Sequence, residues 1–72
     1  MTGQIIIKRI RLLAETLVDD EPWCIIGVSN DDTDLLVWLH KNHPGLHSVG
    51  LVHSSCIDMP EAIYLELLLR FA

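Results

Sequence analysis

The sequence predicts a small α/β domain with the element order α-β-α-β-α, built around one βαβ unit with a two-stranded parallel sheet. Residues 23–28 and 47–54 are short, apolar and rich in β-branched side chains, as buried strands are. The segment between them has apolar side chains at helical spacing, and a strand-helix-strand order favours parallel strands. Two parallel strands leave both sheet edges open, so we expect oligomerisation to complete the sheet.

Composition predicts one domain over residues 1–72 that hides part of its apolar surface against another chain. Half of the residues are hydrophobic, and a chain of this length buries only roughly 60% of its unfolded surface. The net charge of −5 opposes binding to nucleic acid or anionic membranes. Neither a signal peptide nor an apolar run of membrane-spanning length is recognised. Cys24 and Cys56 are too few for a disulfide scaffold, which predicts reduced thiols in a cytoplasmic protein.

The first predicted element is an amphipathic helix over residues 4–18. At helical spacing, apolar side chains share one side and charged side chains the other. The rival interpretation is a strand over residues 4–10, because three consecutive isoleucines favour strands. Acidic residues 19–21 and Pro22 end the helix. Its apolar side comprises Ile6, Ile7, Ile10, Leu13, Ala14, Leu17 and Val18.

The βαβ unit occupies the middle of the chain. Its first strand covers residues 23–28 and its second covers residues 47–54, where apolar and polar residues alternate. The helix between them has acidic residues at its start and His40, Lys41 and His43 at its end, which suits the helix dipole. Pro44 and Gly45 end it. Its candidate N-cap residues are Ser29, Asn30 and Asp31.

The last predicted helix starts from Asp58, which forms a D-x-x-E capping box with Glu61. This helix is apolar on nearly all sides, so it needs to be buried on two sides. A domain of this size cannot easily do that alone, and we therefore expect a homodimer or another protein to cover it. The predicted partner contacts are Leu65, Leu68, Leu69 and Phe71.

A polar cluster at the predicted strand ends is the alternative functional site, because sites in open parallel sheets form beyond the carboxyl ends of strands. Cys56 could act as a thiol nucleophile there, with His53 as its base and Asp31 or Asp58 orienting that base. The structural interpretation is that these residues cap helices and that Cys56 is a small buried side chain. The strand-end cluster comprises Ser29–Asp32 and His53–Asp58.

Metal and nucleic-acid sites have weaker support. Zinc sites use paired, closely spaced ligands, whereas Cys24 and Cys56 lie far apart in the sequence. Asp31, Asp32 and Asp34 could hold magnesium, but acids at a helix start also serve as caps. Lys8, Arg9 and Arg11 are a small basic group on an acidic chain. The histidines that could serve as metal ligands are His40, His43, His47 and His53.

The pattern of residues 24–71 resembles the first half of a response-regulator receiver domain. The resemblance lies in Cys-Ile-Ile-Gly-Val-Ser-Asn-Asp-Asp, the following helix, His-Pro-Gly-Leu-His-Ser-Val-Gly-Leu-Val and the last helix. Ser29 and Asn30 fall near the positions of the family's metal-holding acids, with Asp31 and Asp32 displaced. The strand that carries the phosphoacceptor aspartate is missing, so the resemblance does not imply phosphorelay activity.

Together these observations predict a non-enzymatic protein-binding module, such as a regulator, adaptor or inhibitor, that acts as a homo-oligomer through its C-terminal helix. No catalytic residue, metal ligand or cofactor is predicted. The alternatives are a small enzyme or metal-binding protein that uses the strand-end cluster, and a truncated receiver-like signalling fragment.

Overall fold

The computed structural model of the protein describes residues 9–71, which form one antiparallel sheet and two helices. The four strands lie in the order β1-β2-β4-β3, and every neighbouring pair is antiparallel. The predicted α-β-α-β-α order and its two-stranded parallel sheet are therefore wrong. The elements are β1 (Ile10–Val18), β2 (Glu21–Ser29), α1 (Thr33–Asn42), β3 (Ser48–Gly50), β4 (Ser54–Pro60) and α2 (Glu61–Phe71).

The predicted βαβ unit with two adjacent parallel strands is not formed within residues 9–71. The predicted strands correspond to β2 and β3, which run in the same direction because both are antiparallel to β4. They are not neighbours, since β4 lies between them. The predicted second strand, 47–54, instead ends at Gly50, and the chain turns back with the Leu51 amide donating to the Ser54 carbonyl at 2.7 Å. The continuous parallel pair that underlies the receiver resemblance is thus missing from residues 9–71.

The first element is a strand where a helix was predicted. Residues 10–18 pair with β2, and the register shifts between Leu12 and Ala14, which marks a β-bulge. The bulge inserts one extra residue, so the two-residue alternation of the strand is interrupted. The apolar residues Ile10, Leu13, Ala14 and Leu17, which lie on both faces of the strand, recur three and four positions apart, and this spacing imitates a helix. Residues 4–8 of both interpretations lie outside the described part of the chain.

A two-residue turn joins β1 to β2. Asp19 and Asp20 both have positive φ, at 52° and 66°. This combination matches the type I′ turn, whose twist suits a two-residue hairpin. Aspartate tolerates the left-handed region better than most residues, because its short side chain can bond locally. The acidic residues interpreted as a helix end are therefore a hairpin turn.

Helix α1 occupies the predicted position, but its N-cap is Asp32. The Asp32 carboxylate makes no capping hydrogen bond; it accepts two hydrogen bonds from the Arg9 guanidinium instead, one of them at 2.8 Å. At the other end, the His43 amide donates to the Leu39 carbonyl at 2.8 Å.

Helix α2 begins at Glu61, two residues later than an N-cap at Asp58 predicts. Asp58 lies within β4, opposite Ile25, so the predicted capping box is wrong. Strand β4 was missed because its outward-facing Asp58 and its leading serines look like a loop with a helix cap. Its inward-facing Ile57 and Met59 are buried.

Both helices cover the same face of the sheet, here called the helical face. Leu35 and Leu39 of α1 and Leu67 of α2 pack there with side chains of β1, β2 and β4. The opposite, open face carries Leu13, which lies against Gly27. A Cβ at Gly27 would meet Leu13 Cδ1 at 3.3 Å, so glycine gives that leucine room. The buried sheet residues are Ile10, Cys24, Ile26, Val28, Ile57 and Met59.

Candidate functional site

The outward side of α2 carries an apolar stripe, defined as Ala62, Leu65 and Leu69. Leu67 marks the buried side of the helix. At 100° per residue, Leu65 and Leu69 lie on either side of the direction opposite Leu67, where polar residues are usual. Leu65 is 49% exposed and Leu69 is 90% exposed. The α2 stripe is therefore apolar where the helix points most directly into solvent.

The other two predicted partner contacts lie nearer the core. Leu68 and Phe71 are half-buried and pack against the core residues. The Phe71 ring meets Trp38 of α1 edge to face at a centroid distance of 5.6 Å. The Arg9 guanidinium lies 5.0 Å from the Phe71 ring centroid. Of the four residues, Leu65 and Leu69 are the two that are exposed.

Polar contacts fix the orientation of α2 against α1. Glu66 Oε1 lies 3.0 Å from His43 Nε2. The Arg70 guanidinium stacks 5.0 Å from the Trp38 ring centroid, a cation–π distance. Both contacts tie the same flank of α2 to α1, so they hold the α2 stripe turned away from the domain.

The edge of the sheet formed by β1 is a second exposed surface, which the sequence interpretation missed by placing these residues in a helix. Among the described residues, β1 pairs with β2 alone, so its other side carries unpaired backbone groups. The exposed apolar side chains of this β1 edge are Leu12, Leu13, Leu17 and Val18.

The strand-end cluster is partly assembled, but its parts bond to one another. Ser29 at the end of β2 pairs with Ser54 at the start of β4. The Asn30 side chain donates to the Leu51 carbonyl at 3.0 Å and accepts from the Ser55 hydroxyl at 2.7 Å. Asn30 thus fastens the β3–β4 turn to the end of β2. This arrangement supports a structural role for the cluster.

The predicted thiol site is not brought together. Cys56 lies opposite Gly27, on the open face of the sheet. Asp58 lies further along β4, with its carboxylate 3.5 Å from His47 Nδ1. The His53 carbonyl accepts from the Asn30 amide at 3.0 Å, which places His53 in the turn. These positions leave Cys56 without the arranged base and acid that thiol catalysis needs.

The two cysteines face opposite sides of the sheet, and both are free. Cys24 is 1% exposed on the helical face, and burial raises the pKa of its thiol. A higher pKa leaves less thiolate, so Cys24 is expected to be unreactive in the folded protein.

The ion pair between Arg9 and Asp32 joins the residue that precedes β1 to the N-cap of α1. Hydrogen bonding from Arg9 lowers the pKa of the Asp32 carboxyl, and Asp32 in turn raises the pKa of Arg9. Since Arg9 also stacks on Phe71, it links the start of β1 to both helices. Its role in the predicted basic group is therefore a contact within the domain.

Nothing in the described part of the chain gathers three His, Cys, Asp or Glu side chains closely enough for a metal ion. His40 and His43 line a shallow groove between the end of α1 and the sheet, together with Leu36, Leu46 and Ile57. Neither helix within residues 9–71 is long and apolar enough to cross a membrane. Comparisons of the chain with protein-family models, with curated proteins and with solved structures find no match.

Proposed function

We propose that this protein is a small non-enzymatic protein-binding module that forms a homo-oligomer through the α2 stripe. The observation that carries the proposal is the 90% exposure of Leu69 beside Leu65 on the most outward side of α2. When a partner covers two neighbouring exposed leucines, their apolar surface is removed from water, which favours association. A regulator, adaptor or inhibitor would use such a surface.

The charges beside the α2 stripe favour a second copy of the chain as the partner. Glu66 and Arg70 lie on one flank of the stripe, on the side that contacts α1. In an antiparallel pair of α2 helices with a twofold axis between Leu65 and Leu69, this flank meets the same flank of the other copy. Glu66 of each copy then lies near Arg70 of the other, so the flanks attract each other.

The experiment is a measurement of molar mass by light scattering during gel filtration, across a range of protein concentrations, for the wild type and two variants. Leu69→Glu places a charge in the α2 stripe. Val37→Glu is the matched control: Val37 is 63% exposed on α1, and its helical neighbours Thr33, Asp34 and Lys41 are polar and exposed.

We expect Leu69→Glu to lower the molar mass and Val37→Glu to leave it at the wild-type value, with circular dichroism spectra unchanged in both. A wild type that has the same mass as Leu69→Glu at every concentration would contradict self-association through this stripe. Equal losses of mass in both variants would also contradict it, because the effect would then come from added charge alone.

The two free cysteines on opposite faces of the sheet support action in a reducing compartment such as the cytoplasm. They cannot form a disulfide within one chain without refolding, because their side chains point away from each other across the sheet.

A further inference from the structure

We propose that β1 is a second interface, which pairs antiparallel with β1 of another copy and joins two four-stranded sheets into one of eight strands. This goes beyond self-association through the α2 stripe, because it uses a different surface and a different kind of bond. It rests on the backbone of the edge, its exposed side chains and its charge distribution.

The backbone of β1 is suited to receive another strand. β1 has nine residues, and about half of its amide and carbonyl groups point away from β2, as in any antiparallel edge strand. Natural edge strands are commonly protected by shortness, proline or lysine. The other edge, β3, has only three residues. Residues 10–18 contain neither proline nor lysine, and the bulge alone interrupts this edge.

The side chains of the edge would also gain from a neighbouring strand. Leu17 is 69% exposed and lies on the helical face, since Leu17 pairs with Pro22 two positions from the Glu15–Cys24 pair. Leu12 lies on the same face, opposite Ile26. A strand added beside β1 would cover part of both leucines, which favours pairing.

The charges of the hairpin select a second copy in antiparallel orientation. Arg11 lies near the start of β1, whereas Glu15 and the turn residues Asp19 and Asp20 lie towards its end. An antiparallel copy sets its basic end beside the acidic end of the first strand, and the match occurs twice because the pair is symmetric. A parallel copy would set like charges side by side, which is unfavourable.

Antiparallel pairing of β1 also determines on which side of the joined sheet the helices of the two copies lie. The twofold axis is perpendicular to the joined sheet, so the helices of both copies lie on the same side. The α2 stripes of both copies then point away from that side of the sheet and remain free. Pairing through β1 and through the α2 stripe are therefore compatible, and the wild type is expected to exceed a dimer at high concentration.

The test separates the two interfaces with variants at Leu17. Leu17→Lys adds a positive charge to the edge, near the basic end of the second copy, while the same charge lies among the acidic residues of its own hairpin and should not harm the fold. Leu17→Gln is the matched control, because it removes the same apolar contact without adding charge. Both variants are made in the Leu69→Glu background and measured by analytical ultracentrifugation.

We expect Leu69→Glu to dimerise through β1, the added Leu17→Gln to weaken this dimer slightly, and the added Leu17→Lys to raise its dissociation constant roughly tenfold or more over that of Leu17→Gln. Leu17→Lys alone should still dimerise through the α2 stripe. If Leu69→Glu has no effect on mass but Leu17→Lys lowers it, the α2 proposal fails and this one stands. Equal dissociation constants for the lysine and glutamine variants, or a monomeric Leu69→Glu variant, would overturn the β1 interface.

Hydrogen exchange gives an independent measurement in the Leu69→Glu protein. The amides of residues 10–18 that point away from β2 exchange rapidly in the monomer and should become protected as concentration rises. Rapid exchange of these amides in a sample of dimeric mass would place the contact elsewhere and refute pairing through β1.

Discussion

A single side chain, Arg9, connects three elements of the domain. Its guanidinium donates to Asp32 at the N-cap of α1 and stacks on Phe71 at the end of α2. Two hydrogen bonds between a guanidinium and one carboxylate are directional, so they fix the start of β1 relative to α1. Arg9 is therefore a structural residue, although its neighbours in sequence suggested a basic surface.

We predict that Asp32→Asn lowers stability at neutral pH. Hydrogen bonding from Arg9 lowers the pKa of Asp32 in the folded protein. The ionised carboxylate therefore contributes its full stabilisation above its unfolded pKa of about 3.9 and loses it as the pH falls through the lower folded value. Urea denaturation of both proteins between pH 7 and 2 should show their difference narrowing under acidic conditions. Asp31→Asn, at the exposed neighbouring residue, is the control. A difference that stays constant with pH would contradict this role.

For the strand-end cluster, the sequence predicted which residues lie together better than it predicted what each of them does. Ser29, Asn30 and Ser55 do lie together, but Asn30 bonds to the Leu51 carbonyl and the Ser55 hydroxyl instead of capping α1. The sequence could not reveal this, because the partners of Asn30 are more than 20 positions away and depend on the β2–β4 pairing.

Among the elements, β1 explains most of the difference between the predicted and the observed fold. Residues 13, 14, 17 and 18 are apolar at helical spacing, and a sequence pattern alone cannot distinguish a helix from a strand with a bulge. The structure assigns the change of face to the bulge between Leu12 and Ala14. The two-residue turn pairs β1 antiparallel with β2, and β4 occupies the other side of β2 in place of the predicted parallel strand.

We predict that Asn-Gly in place of Asp19-Asp20 stabilises the hairpin. Both positions have positive φ, which glycine adopts at no steric cost and asparagine more readily than most residues. The free energy of unfolding should rise by about 0.5–1 kcal/mol. Ala-Ala at the same positions should lower it, because alanine is strained in this region. Thermal denaturation followed by circular dichroism measures both. A destabilised Asn-Gly variant would mean that the turn is not of type I′.

Helix α2 was predicted close to its observed position, because Ile63, Tyr64, Leu67, Leu68 and Phe71 share one side at helical spacing. Its inner side is covered by the sheet and α1, and the sequence could not tell which leucines those elements leave exposed. The structure divides them: Leu67 is buried, Leu68 is half-buried, and Leu65 and Leu69 are exposed.

At the scale of the whole molecule, one sheet with helices on a single side leaves apolar side chains in three places: the α2 stripe, the β1 edge and the open face. The composition predicted an excess of apolar surface, but the prediction placed it chiefly on the last helix and expected open edges on a different sheet. The position of β1 at the edge follows from long-range pairing, which the local pattern does not contain.

We predict that the stability of the wild type depends on protein concentration. A dimer that unfolds to separate chains gains about 1.4 kcal/mol for each tenfold rise in concentration. Between about 1 and 100 μM, the free energy of unfolding of the wild type should therefore rise by about this amount for each tenfold rise in concentration, and its urea midpoint should rise with it. The urea midpoint of the Leu17→Lys, Leu69→Glu double variant should stay constant. The Val37→Glu variant serves as the control that retains the dependence. A constant midpoint in the wild type would exclude assembly coupled to folding.

The bulge in β1 also determines how the hairpin tolerates changes in length. Leu13 is the one residue of the strand without a partner of its own in β2, because Leu12 pairs with Ile26 and Ala14 with Ile25. Deleting Leu13 would leave a regular ladder in which Ile10 still pairs with Val28 under the helices, while one residue added there could be absorbed by widening the bulge. In related chains, single-residue length differences in this strand should therefore fall at or next to Leu13.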